Sequence, residues 1–352
     1  MDQEKRRRFL FTVGVLLAAP RVGFPQRGPK VWRVGFLQPG GRAAYLDELV
    51  KGMRALGYEV GRNLVIEWRF ADGHYDRLPA LAAELAHGNF HVIVVAGTPA
   101  ADALKRATST VPVVMSVVGD PVASGFVSSL ARPGGNFTGL SLANPDVSSK
   151  WFEMARTVAP RSQIGVLADS NQPTAPWYVK NIERAAQKLG IKVPVAYAPT
   201  GNDIESALDS LAMQRIATIV VLPSGMLENH AAQMAQIAVE RRIALVASTS
   251  VYAERGSLLS YGQNYGAFTR RAATYVDKIL KGAKPSELPV EQPMIFELTI
   301  NLTTAKKLGL TIPTELLLRA GLPPLFRTLL IDAKMLSEVS DGTQEIYSGV
   351  QA

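Results

Sequence analysis

With 352 residues, 47% of them hydrophobic, the chain can bury a substantial core, and its length suits two lobes better than one compact unit. The net charge of +8 is partly local: residues 1–26 hold five Lys/Arg against two Asp/Glu, and the remaining 33 basic and 28 acidic residues form no basic stripe with interleaved aromatics, which argues against a nucleic-acid partner. The absence of cysteine excludes disulfides, thiolate metal sites, cysteine nucleophiles and a cysteine-borne lipid anchor.

At the amino terminus KRRRFLFTVGVLLAAP sets an arginine cluster, Arg6 to Arg8, directly before an apolar segment at 9–19. That segment is shorter than the roughly 18 to 20 residues of a membrane span but suits the apolar region of an export signal, and the paired arginines fit the twin-arginine type. Residues 1–26 are therefore read as a signal peptide, with the mature chain starting between 19 and 26 and a periplasmic destination. Export through the general secretory route or a short anchor are the competing readings of the same pattern.

From residue 31 onward, apolar runs rich in β-branched residues alternate with helical patterns. The runs VWRVGFL (31–37), NLVIEWRF (63–70), HVIVVAG (91–97) and VPVVMSVVG (111–119) predict strands, and AAYLDELVKGMRALG, RLPALAAELAHG and AADALKRAT predict the helices between them. Parallel neighbours need such crossovers, and HVIVVAG lacks polar alternation, as expected of a strand covered on both faces. Asp76 and Asn202 or Asp203 are the expected helix N-caps, and Gly57, Gly88, Gly190 and Gly282 the expected stops.

The same rhythm restarts after residue 145 with QIGVLAD (163–169), KVPVAYA (192–198), IATIVVL (216–222) and IALVAS (243–248), separated by YVKNIERAAQKLG, DIESALDSLAMQ and HAAQMAQIAVERR. Two α/β lobes of one Rossmann-like architecture follow. Beyond them, SLLSYGQNYGAFTRRAATYVDKILKG predicts a short strand and a long amphipathic helix, and a Pro-rich stretch leads to another strand and helix around FELTINLTTAKKLGL. A chain that returns to the first lobe, leaves a helix there and comes back makes three crossings. The expected division is 30–143 with 264–288 for the first lobe, 144–263 with 289–318 for the second, and 319–352 as a divergent tail.

The usual chemical fingerprints are missing: no G-x-G-x-x-G, no phosphate-binding G-x-x-x-x-G-K-[ST], no G-x-S-x-G and no H-E-x-x-H. His87 and His91 stand four apart, but Gly88 and Asn89 break the helix between them. No cofactor, no metal and no enzyme activity are therefore expected. Ligands of doubly wound sheets collect at the carboxyl ends of strands, where this chain places small polar turns. Gly97, Thr98, Pro99 and Ala100 end one strand and open a helix, suited to a carboxylate. Asp120, in the next turn, is positioned for an ammonium or hydroxyl. Simple capping explains Thr98 and Asp120 equally well. The second-lobe turns at 169–173, 223–225 and 248–250 offer hydrogen bonds without an activated nucleophile, which favours a ligand that is held over one that is transformed.

Long ordered motifs add a family resemblance. GYxxGRNLxIExRxADGxYDRLPALAAEL from Gly57, then GTPAA, ALKxATSTVPVV and GDPVxxGxVxSLxRPGGNxTGLS, then LSYG, RRAAxYVDKILKG and INLxTAKxLGLTIP are similar to the tryptophan-type ABC transporter substrate-binding proteins, over residues 31–318. The resemblance implies a type I periplasmic binding protein: two lobes with parallel sheets, a three-crossing hinge and a ligand cleft. It implies a small solute, such as an amino acid or an aromatic or organic acid, delivered to an inner-membrane permease by a monomeric carrier. The cleft residues carried over are Gln38, Thr98, Ala100 and Asp120 from the first lobe, Asn171, Ser224 and Ser250 from the second, and Tyr261 and Gln263 on a crossing. For an amino acid, Thr98 is expected to hold the carboxylate and Asp120 the ammonium. An exported sensor module presenting its bound solute to a receptor is the alternative.

Overall fold

The apolar runs of the first half form β1 (Trp32–Gln38), β2 (Leu64–Phe70), β3 (Val92–Ala96) and β4 (Val113–Val117), joined by the short β5 (Phe137–Gly139). The computed structural model describes residues 30–142, 146–160, 162–294, 296–321 and 326–327, so the expected signal peptide and most of the 319–352 tail lie outside the described residues. These five strands make one parallel sheet in the order β2-β1-β3-β4-β5. Side chains alternate across it, as the two-residue period of a strand requires. Phe36 and Val94 face one way, under helices Asp47–Ala55 and Tyr265–Leu280. Leu37 and Val95 face the other, under helices Leu78–His87 and Thr98–Ala107. At the central β3 and β4 both faces are buried, so these strands read as nearly continuous apolar runs, whereas the edge strand β2 is mostly half-buried and carries Glu67 and Arg69.

In the second half β6 (Gln163–Ala168), β7 (Val195–Tyr197), β8 (Ile216–Val221), β9 (Ala244–Ala247), β10 (Leu259–Gln263), β11 (Phe296–Ile300) and β12 (Phe326–Arg327) form a sheet ordered β12-β11-β10-β9-β8-β6-β7. Among the described residues, the β10–β11 pair is antiparallel and the other pairs of this sheet are parallel. Helices Asp146–Val158 and Ala175–Gln187 cover one face through Trp151, Phe152, Tyr178 and Ile182. Helices Ile204–Met213 and Ala231–Glu240 cover the other through Leu208, Leu211 and Met234. The expected architecture of two α/β lobes is present.

The chain passes between lobes after Leu142, after Gln263 and after Glu291. At the second passage Asn264 caps the returning helix by accepting from the Ala267 N–H, and its amide donates to Glu297 on β11. At the third, residues 289–291 stay with the first lobe. Val290 is buried in its core, and Glu291 exchanges backbone hydrogen bonds with Gly139 and Ser141. The second lobe in turn runs past residue 318, because Ala320 is fully buried in its core.

Two expected caps resolve differently. Asp76 lies inside a 3-10 turn, Tyr75–Arg77, and makes no side-chain cap to the helix that follows. Ahead of helix Ile204–Met213, Asp203 holds the N-cap position as expected but its side chain does not cap that helix. It serves instead as the returning acid of a capping box on the preceding 3-10 turn Gly201–Asp203, whose cap residue Thr200 donates from Oγ1 to Asp203 at 2.6 Å. Gly57, Gly190 and Gly282 take the left-handed conformation that ends a helix, whereas at Gly88 the following Asn89 takes it.

Candidate functional site

Each sheet contains the same three-strand pattern, β2-β1-β3 in one and β7-β6-β8 in the other. Connections from the first strand of such a trio and from the strand beside it run to opposite faces, leaving a crevice at the carboxyl ends. The segments that open there are 39–41 after β1, Gly97 and Thr98 after β3, Asp169 to Gln172 after β6, and Pro223 to Gly225 after β8. All four meet across the seam between the lobes.

The lobes touch directly. A Cβ built on Gly225 would stand 3.0 Å from the Gly40 nitrogen and 3.0 Å from Pro39 Cγ, and one on Gly41 would stand 2.9 Å from Asn229 Oδ1. Asn229 donates to the Asp72 carbonyl at 3.2 Å, and the Tyr75 hydroxyl reaches Ser224 Oγ at 3.1 Å. The structure is thus a closed form. At its centre remains a cavity of about 60 Å³ lined by Gln38, Tyr45 and Thr98 from the first lobe, Gln172, Ser224, Glu228 and Ser248 from the second, and Tyr265 from the crossing helix. A space of that size holds a few waters or the polar head of a small molecule.

Hydrogen-bond accounting shows which groups are committed. Gln38 is engaged at both ends of its amide, donating to the Gly41 carbonyl at 2.6 Å and accepting from Tyr45 at 3.1 Å. Thr98 Oγ1 accepts from the Gly119 N–H at 3.2 Å, which leaves its own hydrogen to donate. On the second lobe Gln172 donates to the Pro223 carbonyl, but its Oε1 has no partner, and neither has Ser248 Oγ; both atoms are buried. Buried polar atoms without partners are costly, and these two line the same cavity as the Glu228 carboxylate. Burial pushes the Glu228 carboxyl up to about 7, against the pull of Arg255 and a long 3.5 Å bond from Thr249. Burial likewise raises Asp169, offset in part by donors from Ser224 and the Asn171 N–H. Tyr45 and Tyr265 pack edge to face at 5.5 Å, both held protonated by burial. No cluster of His, Asp or Glu among the described residues has the arrangement of a metal site.

Of the residues expected in the cleft, Gln38, Thr98 and Ser224 come together around this cavity. Asn171 stands instead on a wider groove of about 860 Å³ at the mouth, its amide donating to the Pro199 carbonyl. Ser250 and Gln263 face a second groove of about 890 Å³ on the hinge side. Three others are placed elsewhere. Asp120 caps its own turn, accepting from the Val122 and Ala123 N–H groups at 3.0 Å, and is outside the cavity lining. The Ala100 methyl is fully buried in the first-lobe core. Tyr261 points to the opposite face of its sheet, stacked on Phe296 in the second-lobe core. The acid in the cavity is Glu228, on the short helix Gly225–Asn229, and Gln172 and Ser248 take the places expected of their turn neighbours. Gly262 explains how Ser248 gets so close: a Cβ there would lie 1.8 Å from the Ser248 carbonyl oxygen.

Residues 34–322 match the family described as ABC transporter substrate binding protein. A tyrosine-binding protein from Clostridioides difficile (strain R20291) is 26% identical over 264 residues, 74% of this chain and 75% of that one. Among solved structures, a conserved domain protein from Vibrio cholerae is 32% identical with a TM-score of 0.77, covering 83% of this chain and 99% of that one. An ABC domain from Streptococcus pneumonia in complex with L-Trp is 26% identical with a TM-score of 0.75, again over 83% and 99%.

Proposed function

The chain belongs to the ABC transporter substrate binding protein family, and from that premise we propose that it captures an L-amino acid between its lobes and hands it unaltered to an inner-membrane permease. It is a solute-binding protein and not an enzyme. The observation that carries the ligand class is the pairing of unmet polar groups in the central cavity. The second lobe offers acceptors, namely Gln172 Oε1, Ser248 Oγ and the Glu228 carboxylate. An ammonium carries three donors and needs such a set, because a charge taken out of water requires partners. The first lobe offers the free hydrogen of Thr98 at the start of helix Thr98–Ala107, suited to a carboxylate.

A zwitterion lying across the cavity touches both lobes and stabilises the closed form by its differential affinity for that form. Tyr45, Tyr178, Tyr265 and Leu142 line the remaining wall and face the ligand's side chain. An aromatic side chain requires these rings to turn aside, since the cavity is small. Tyrosine and tryptophan, the amino acids named for two relatives, are the first ligands to examine. The arginine cluster and apolar run of residues 5–19 support export to the periplasm ahead of delivery.

A thermal-shift series with the common L-amino acids and their N-acetyl derivatives tests this. Selective binding to the native form raises the melting temperature. The expected result is a rise with one or a few free amino acids and none with the N-acetyl forms, which lack the ammonium. An equal rise with both, or none with any amino acid, rules the zwitterion out.

A further inference from the structure

We infer that Tyr75 is a latch that holds the two lobes shut in the absence of ligand, setting the closed fraction without entering the binding cavity. Tyr75 belongs to the first lobe, in the 3-10 turn after β2. Its ring nevertheless packs against the apolar core of the second lobe as well as that of the first. It lines the mouth groove, with Asp102, Arg106, Asn202 and His230, and is outside the lining of the central cavity.

The hydrogen-bond directions across the seam follow from counting protons. Ser224 Oγ gives its single hydrogen to Asp169 Oδ2 at 2.7 Å and accepts from the Leu227 N–H at 3.1 Å. Tyr75 must therefore donate to Ser224 Oγ at 3.1 Å, while its own oxygen accepts from the Met226 N–H at 3.2 Å. Met226 is in the first turn of helix Gly225–Asn229, where N–H groups have no partner within the helix. One first-lobe hydroxyl thus completes both a cap and a buried Ser–Asp pair on the second lobe. The same contact region includes the Asn229 to Asp72 bond and the Gly73 backbone, where a Cβ would stand 3.5 Å from Met226 Cα. Opening the lobes breaks all of these at once, so their weight falls on the open–closed equilibrium.

The ADGHYDRL motif (71–78) singled out in the sequence gains a physical role from this arrangement. Its glycine takes a positive φ of 86° that turns the loop at the seam, and its tyrosine crosses the seam.

The test uses the ligand-free protein, so it stands apart from the identity of the ligand. The chain has no cysteine of its own, and the exposed Arg106 and Asn202 face the mouth groove from opposite lobes. Spin labels on Arg106→Cys and Asn202→Cys report the interlobe distance by double electron–electron resonance. In the otherwise native protein a short-distance population is expected. Tyr75→Phe keeps the ring and removes only the hydroxyl, and should lower the closed-to-open ratio about five- to tenfold. Tyr75→Ala removes the packing as well and should lower it further, with circular dichroism confirming that both variants fold. Identical distance distributions in all three proteins, whether shut or open, would overturn the inference. A failure of every amino acid to bind would leave this result standing and would count against the ligand proposal alone.

Discussion

A carboxyl poised near neutrality inside a cleft makes ligand capture depend on pH. Burial in the closed cleft raises the Glu228 carboxyl to about 7, whereas an unfolded glutamate titrates near 4.5. The folded state thus binds the extra proton between those values. The stabilisation from that proton is fully present below about 4.5 and is lost as pH rises through about 7. An ammonium ligand needs the ionised form, so affinity should rise between roughly pH 5.5 and 8. The check is a dissociation constant measured across that range in the native protein and in Glu228→Gln. A steep dependence in the first and a flat one in the second are expected.

Glu228 also shows where sequence reasoning stops. The strand-end turns are legible in the sequence, and Gln38, Thr98 and Ser224 line the central cavity because the topology brings those strand ends together. Within each turn the inward residue was not legible. Gln172 faces the cavity and Asn171 does not, Ser248 does and Ser250 opens a helix, because a single step along a turn reverses direction. Asp120 looked like the ammonium partner, yet its oxygens close its own turn. Glu228 reads as a solvated helical acid, and the available signal is its place in the first turn after the Ser224 cap, which brings it close to the strand-end turn.

At the scale of elements, closure depends on two segments that meet through glycines, with the Pro39 ring beside them. The loop after β1 and the start of helix Gly225–Asn229 meet at Gly40 and Gly225, so backbone approaches backbone. An added methyl at Gly225 faces three atoms at 3.0 to 3.2 Å, one of them the Gly40 nitrogen. Gly225→Ala should therefore keep both lobes folded while forcing the seam apart by a few tenths of an ångström. A ligand affinity several times weaker than native, with an unchanged circular dichroism spectrum, is expected in calorimetry; native affinity would show that the seam need not close. The longer elements were legible from their periodicity, since strands buried on both faces and amphipathic helices repeat their pattern over enough residues. β5 and the helices Gly225–Asn229 and Ser250–Glu254 were not, because segments of three to five residues carry no measurable period. Those short helices position Ser224, Glu228 and Ser250, which is why the site was less legible than the fold.

At the scale of the whole molecule, two sheets that share the same strand-order pattern face each other with their switch points aligned, and the same chain passes between them three times. Acceptors cluster on one side of the central cavity and a donor stands on the other, so neither lobe alone completes the ligand's partners. Binding and closure are then one process. Calorimetric titration of the full chain with L-tyrosine and L-tryptophan, repeated on Glu228→Gln, measures it directly. Saturable one-to-one binding of at least one of them, weakened about tenfold or more in the variant, is the expected result. Equal affinity in the two proteins would contradict an ammonium held by Glu228 between paired lobes, and no heat from either titration would exclude tyrosine and tryptophan as its ligands.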